Sequence, residues 1–211
     1  MKYSDSFSAG NKEKTTLHVT RRRFFLDSLL SFAGLSMMLA RPSEAAAENM
    51  QSNKYKHLKG NCHEDYMKMA ISVAGQEPEY PFGSVIVDQG SGEVIATGFN
   101  RVAENPIFHG EIDAINQCAH VYHSRDWSNL SLYTTAEPCP MCQSAIEWCG
   151  IQNVYYGTSI PYLTQLGWKQ IDIRAEEVAR RTPFRKTKVI GGILEAECND
   201  LFEAIKKASW E

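Results

Sequence analysis

The stretch Leu130-Ser131-Leu132-Tyr133-Thr134-Thr135-Ala136-Glu137-Pro138-Cys139-Pro140-Met141-Cys142, running on to Gly157, decides the fold. Its first part, Leu130 to Thr135, is rich in β-branched and aromatic residues and reads as a strand. Pro138 and Pro140 then punctuate a strand-to-helix turn, because proline lacks an N–H and suits the first helical position. The spacing predicts a helix over Pro140–Cys149 and a further strand over Asn153–Gly157. Cys139 and Cys142 fall at the start of that helix, three residues apart, so on one turn their sulfurs can face the same point.

Working outward, a second helix is expected from about His109 to Val121. Before it, Ser84–Asp88 and Val94–Gly98 are short β-branched runs flanking Gln89-Gly90-Ser91-Gly92, a hairpin signal. Earlier still, Asn61 can cap a helix carrying Met67, Ala70, Ile71 and Ala74, with Gly75 and Pro78 ending it. Beyond Gly157 the pattern weakens into an irregular stretch, a helix over Arg174–Arg180, a strand over Lys188–Leu194 and a closing helix over Asp200–Ala208. Strands alternating with helices predict an α/β domain, a three-layer αβα sandwich with a mixed sheet, spanning residues 61–211. The polar, aperiodic residues 48–60 read as a linker.

The chain has 211 residues, 43% of them apolar, with 22 Lys plus Arg against 25 Asp plus Glu. That is enough apolar material for a core, and no run reaches the 18 apolar residues of a membrane span. The formal charge of −3 hides an asymmetry. Residues 1–47 carry seven basic groups (Lys2, Lys12, Lys14, Arg21, Arg22, Arg23, Arg41) and four acidic ones (Asp5, Glu13, Asp27, Glu44), net +3; residues 48–211 carry 15 and 21, net −6. A domain of that charge disfavours nucleic acid, whose binding relies on Lys and Arg neutralising phosphates.

The basic front segment reads as an address. Thr20-Arg21-Arg22-Arg23-Phe24-Phe25-Leu26 resembles a twin-arginine export motif, followed by an apolar run from Ser28 to Ala40 and by Ala45-Ala46-Ala47. As a helix the apolar run would span only about 20 Å, short of the roughly 30 Å hydrocarbon core, so a permanent membrane anchor is the weaker reading. An uncleaved anchor and a chance basic stretch compete with a cleaved signal. The expectation is a signal peptide over 1–47, cleaved after Ala47, with the twin-arginine machinery as partner and a periplasmic or secreted product.

The chemistry sits in His109-Gly110-Glu111 and Pro138-Cys139-Pro140-Met141-Cys142. Imidazole and thiolate bind Zn²⁺, and three protein ligands leave a fourth position open, which is the pattern of a catalytic site. Each ligand set falls where a helix begins, and a helix N-terminus favours thiolate over thiol. A redox or disulfide pair and a structural zinc site are the competing readings of the cysteines alone. Cys149 lies too far along the helix to complete a fourth protein ligand. His-x-Glu followed by Pro-Cys-x-x-Cys is the combination found in zinc deaminases, with the Glu as general acid/base and not a ligand.

From about residue 62 to Gly157 the chain resembles the zinc-dependent cytidine-deaminase-like superfamily, in the branch of guanine deaminases, fungal-type cytosine deaminases and tRNA adenosine deaminases. Pro81-Phe82-Gly83-Ser84-Val85-Ile86-Val87 is similar to the family's first strand, Gly98-Phe99-Asn100 to its substrate-contacting turn, and Leu132-Tyr133-Thr134-Thr135 to its third strand. The resemblance implies a five-stranded mixed sheet, a homodimer, and hydrolytic release of ammonia from a small nucleobase or nucleoside. It implies His109, Cys139 and Cys142 as Zn²⁺ ligands and Glu111 as the proton carrier. Asn100, Phe82, Ala136 and Glu137 are the candidate substrate contacts, Glu137 doubling as a loop brace, and Trp210 is a candidate lid. Phe108, Trp148 and Trp168 are further aromatics able to stack on a ring. A guanine-like purine is favoured. Against it, guanine-deaminase relatives carry an acidic residue where this chain reads Ser159-Ile160-Pro161-Tyr162-Leu163-Thr164, and His109-Gly110-Glu111 has Gly where Ala is commoner, which favours a cytosine-type enzyme. A tRNA adenosine deaminase and a zinc-bearing binding protein without turnover are weaker readings of the same motifs. Cys62, Cys118, Cys149 and Cys198 are expected mainly reduced and buried.

Overall fold

The computed structural model describes residues 58–60, 62–184 and 186–205. Residues 1–47, expected as a signal peptide, most of the stretch 48–60, Asn61 and Trp210 lie outside the described residues. In chain order the elements are α1 (His63–Ala74), β1 (Gly83–Asp88), β2 (Val94–Phe99), α2 (Gly110–Val121), β3 (Leu130–Ala136), α3 (Pro140–Cys149), β4 (Asn153–Thr158), α4 (Ile160–Gln165), α5 (Ala175–Arg181), β5 (Lys188–Ile190) and α6 (Glu195–Ala204).

The hairpin closes as its composition demands. The Asp88 carboxylate accepts from the N–H groups of Gly90 and Ser91 at 2.9 and 2.8 Å, and Gly92 supplies the left-handed residue at φ 72°. The five strands form one mixed sheet in the order β2-β1-β3-β4-β5, in which β1 runs antiparallel to β2 and β3, while β3, β4 and β5 are parallel. A parallel pair needs a crossover, and α3 supplies it between β3 and β4.

Side chains alternate across the sheet, and each face has its own core. Val85, Val87, Tyr133 and Tyr155 pack against Tyr66, Met67, Ala70 and Val73 of α1 and Cys198 of α6. Ile86, Leu130, Leu132 and Val154 face the other way, against Ala114, Ile115 and Cys118 of α2 and Ile146 of α3. The result is the three-layer sandwich. Gly98 lets α2 lie directly on β2: a Cβ there would come within 2.2 Å of the Ala114 nitrogen and 2.3 Å of the Gly110 oxygen. Among the described residues no helix is long and apolar enough to cross a membrane.

The structure departs from the sequence expectations mostly after β4. Helix α4 replaces an expected irregular stretch; the Ser159 hydroxyl caps it by accepting from Tyr162 N at 3.3 Å, and Pro161 stands in its first turn. Strand β5 stops at Ile190 instead of Leu194. Gly191 is crowded by the Tyr156 ring, Gly192 turns at φ 84°, and Leu194, in the left-handed region at φ 49°, starts α6 well before Asp200. The polar stretch before the domain joins the sheet at its end, where Lys59 bridges to Glu93 and Leu58 O accepts from Val94 N at 3.2 Å. Cys118 and Cys198 are buried and Cys149 is half-buried, whereas Cys62, expected buried, is exposed because it precedes α1 on the solvent side.

Candidate active site

Two helix N-termini converge beyond the end of β3. His109 is the N-cap of α2 and Cys139 the N-cap of α3, both in extended conformation, and Cys142 lies in the first turn of α3. Gly110 lets the first of these ends approach the sheet, since a Cβ on it would come within 2.5 Å of the Phe82 carbonyl oxygen.

Nitrogen and sulfur atoms of His109, Cys139 and Cys142 lie within 4.8 Å of one another. Cys139 Sγ and His109 Nδ1 are 3.6 Å apart. A tetrahedral centre with Zn–S near 2.3 Å and Zn–N near 2.0–2.1 Å requires about 3.6 Å between those atoms. Two thiolates and one imidazole are a zinc donor set, and three ligands leave one coordination position for chemistry. The residues present therefore fit the metal.

The sulfurs are already half prepared. The Cys142 thiol donates to Cys139, which together with His109 holds Cys139 down to about 4 against the cost of burial. The same hydrogen bond, with burial, raises Cys142 well above the usual thiol range, and His109 is raised by its contact with Cys139. Ligation as two thiolates must release whatever protons the pair carries.

Glu111, in the first turn of α2, is buried at 3% exposure and lines the same cavity as His109 and Cys139. Burial pushes its carboxyl up to about 6, and the neighbouring Cys139 adds to the rise. Asn100 stands just past β2 with 5% exposure, also on the cavity. Its Oδ1 accepts from Val102 N at 3.1 Å, so its orientation is set by its own loop and its NH₂ is the end left to face a ligand. The apolar wall is formed by Tyr80, Phe82 and Trp168, with Trp168 edge-on to Phe82 at 5.6 Å. Phe82 is fixed through the sheet: Thr135 Oγ1 donates to Pro81 O at 2.9 Å and accepts from Gly83 N at 3.1 Å. Lys169 and Gln170, following Trp168, complete the lining.

Glu137 also borders the cavity, but its carboxylate is taken. It accepts from Arg174 Nε at 2.8 Å and from the backbone N–H groups of Ile160 and Ala175, each at 2.9 Å, while its own N–H donates to Thr158 O. The structure gives it the bracing role and leaves none of those groups for a substrate. We expect Glu137→Ala to cost about 2–4 kcal/mol in denaturant unfolding, since each buried N–H left without an acceptor costs about 1–3 kcal/mol. Arg174, nearly half exposed, adds little to that figure.

The remaining candidates fall elsewhere. Ala136 ends β3 and packs with Leu163, Trp168 and Phe202 behind the cavity, without lining it. Phe108 packs against Arg101, and Trp148 is 78% exposed beside Phe184; neither lines the cavity, because their elements turn them away from it. Sequence reasoning missed Tyr80, Lys169 and Gln170 and the Arg174 brace. Only the Ser159–Pro161 cap signal could have pointed to the α4 excursion that carries Trp168.

Fold and site together define a metal-dependent α/β hydrolase with an imidazole–dithiolate centre and one buried carboxylate. Residues 60–158 match the cytidine and deoxycytidylate deaminase zinc-binding region. The chain is 35% identical over 134 residues to a guanine deaminase of Bacillus subtilis (strain 168), covering 58% of this chain and 83% of that protein. It is 30% identical over 144 residues to the tRNA-specific adenosine deaminase of the same organism, covering 66% and 85%. Its fold matches the solved guanine deaminase from Nitrosomonas europaea with a TM-score of 0.65 at 21% identity, covering 83% of this chain and 98% of that one. A probable cytosine deaminase is also among the relatives. The chain belongs to the cytidine and deoxycytidylate deaminase family and is a zinc-dependent hydrolytic nucleobase deaminase.

Proposed function

We propose that the substrate is guanine or a closely related purine base. The observation that carries this is the orientation of Asn100. With Oδ1 held by Val102 N, the amide offers N–H donors to the cavity, whose lining also includes Lys169 and Gln170. Such a site suits a base with acceptors remote from the amine that leaves, as guanine has in its oxo oxygen and imidazole nitrogen. Adenine, without an oxo group, matches it less well. The three rings Tyr80, Phe82 and Trp168 offer a bicyclic base a broad apolar surface. The guanine deaminase relative covered over most of its length supports the same reading. Gly110 is neutral between purine and cytosine-type enzymes, because the close approach of Phe82 O accounts for it. The net charge of −6 on residues 48–211 argues against tRNA.

His109, Cys139 and Cys142 would hold the zinc, which when bound would supply the Lewis acidity that makes water nucleophilic at neutral pH. Glu111 carries the protons: it accepts one from the attacking water and passes it to the ring nitrogen beside the reacting carbon. It then takes the second proton from the hydroxyl formed on that carbon and delivers it to the departing amine, leaving ammonia and the carbonyl product. Burial raises this carboxyl, which favours the protonated form it needs when it acts as an acid. Asn100 orients the base, and Phe82 and Trp168 hold its plane.

Ammonia release from guanine, guanosine, adenosine, cytosine and cytidine tests the reading. Guanine is expected to lead in kcat/KM by about tenfold or more, the scale of discrimination a few pocket contacts supply. Faster turnover of cytosine would overturn it, and release from none of the five would point to another aminoheterocycle or to a protein that binds without turnover. Export belongs to the same proposal, supported by the order of basic, apolar and small residues in 1–47. Protein with Met1 still attached in a periplasmic fraction would overturn that part.

A further inference from the structure

The residues on either side of Asn100 are held by one carboxylate. Asp113 Oδ2 accepts from Phe99 N at 3.2 Å, and Asp113 Oδ1 faces Arg101 Nη1 at 3.4 Å. Both side chains are largely shielded, with Asp113 at 6% and Arg101 at 15% exposure. The rest of the guanidinium grips Glu104 at 2.9 and 2.6 Å, and Arg101 lies 6.0 Å from the ring centres of both Phe99 and Phe108. Its backbone N–H closes the loop by donating to Phe108 O at 2.8 Å, immediately before the zinc ligand His109. Asp113 itself stands one helical turn after His109, its N–H donating to the His109 carbonyl.

We propose that Asp113 is a positioning residue that acts through Asn100, clamping Phe99 and Arg101 so that the Asn100 amide keeps a fixed place relative to the metal ligand His109. A buried carboxylate is an unfavourable way to fill space between a strand and a helix, and an apolar side chain would do it with less desolvation. What the carboxylate adds is a hydrogen-bonded tie to two specific groups flanking a cavity residue. Asn100 is read as orienting the base, so a shift of its amide weakens the hold on substrate, and a tie that prevents the shift has a functional return. The inference rests on the reading that Asn100 contacts the base.

A double-mutant cycle tests it, using whichever base of the panel the wild-type zinc enzyme turns over fastest. Asp113→Asn, Asn100→Ala and the double variant are compared by kcat, KM and zinc content. Asp113→Asn is expected to raise KM about tenfold with kcat within about threefold and zinc at the wild-type level, and to add less than about twofold once Asn100 is already Ala. Equal losses in both backgrounds would overturn the positioning role while leaving the Asn100 reading intact. An Asn100→Ala variant with unchanged KM would overturn both. If Asp113→Asn fails to fold, Arg101→Lys, which keeps the charge and loses the fork, must show the same non-additivity.

Discussion

Glu111→Gln is expected to bind zinc at the wild-type level and to lose about 10³-fold or more in ammonia release, in the upper part of the range for a positioned acid/base. The amide keeps the size of the carboxyl and leaves the donor set His109, Cys139 and Cys142 in place. Among the described residues lining the cavity, two carry carboxyls, and Glu137 is held by Arg174 and two backbone N–H groups, so the substitution removes the one placed to exchange protons. Metal analysis and an ammonia assay on one preparation separate the two effects. Full activity in the variant would show that another group moves the protons.

Cys139→Ala should instead lose metal and activity together. Changes to groups that merely support a metal's ligands typically cost 10–100-fold in affinity, so removing a ligand is expected to exceed about 100-fold. Cys139 is also the sulfur whose pKa the site lowers, and Cys142, raised by donating to it, loses that acceptor. Zinc titration against a chromophoric chelator reads the change directly. Retention of stoichiometric, tightly held zinc would mean that the metal is not bound where the three atoms converge.

The parts of the molecule legible in the sequence are those specified locally. Strand β3, the Pro138–Pro140 turn and α3 announce themselves through β-branching, proline chemistry and the Cys139–Cys142 spacing, and the ranges expected for them match to within a residue. The ligand triad is legible for the same reason: its two halves are short motifs at helix starts. After β4 the signals that matter are single residues. Leu194 in a left-handed conformation and Gly191 fitted against the Tyr156 ring end β5 early, and neither fact exists before the chain is packed. Asp113 is the clearest case. In sequence it is an acidic residue in the first turn of a helix, which the helix dipole alone would explain; its ties to Phe99 and Arg101 depend on how α2 lies across β2.

The Glu137 carboxylate receives the first N–H of α4 and the first N–H of α5, so the excursion from Ile160 to Ala175 starts and finishes at the same point, two residues before the zinc ligand Cys139. That excursion carries Trp168, Lys169 and Gln170, while His109, Cys139 and Cys142 all lie outside it. One carboxylate thus anchors both ends of the segment that supplies part of the cavity wall, and the three metal ligands lie outside it in the chain.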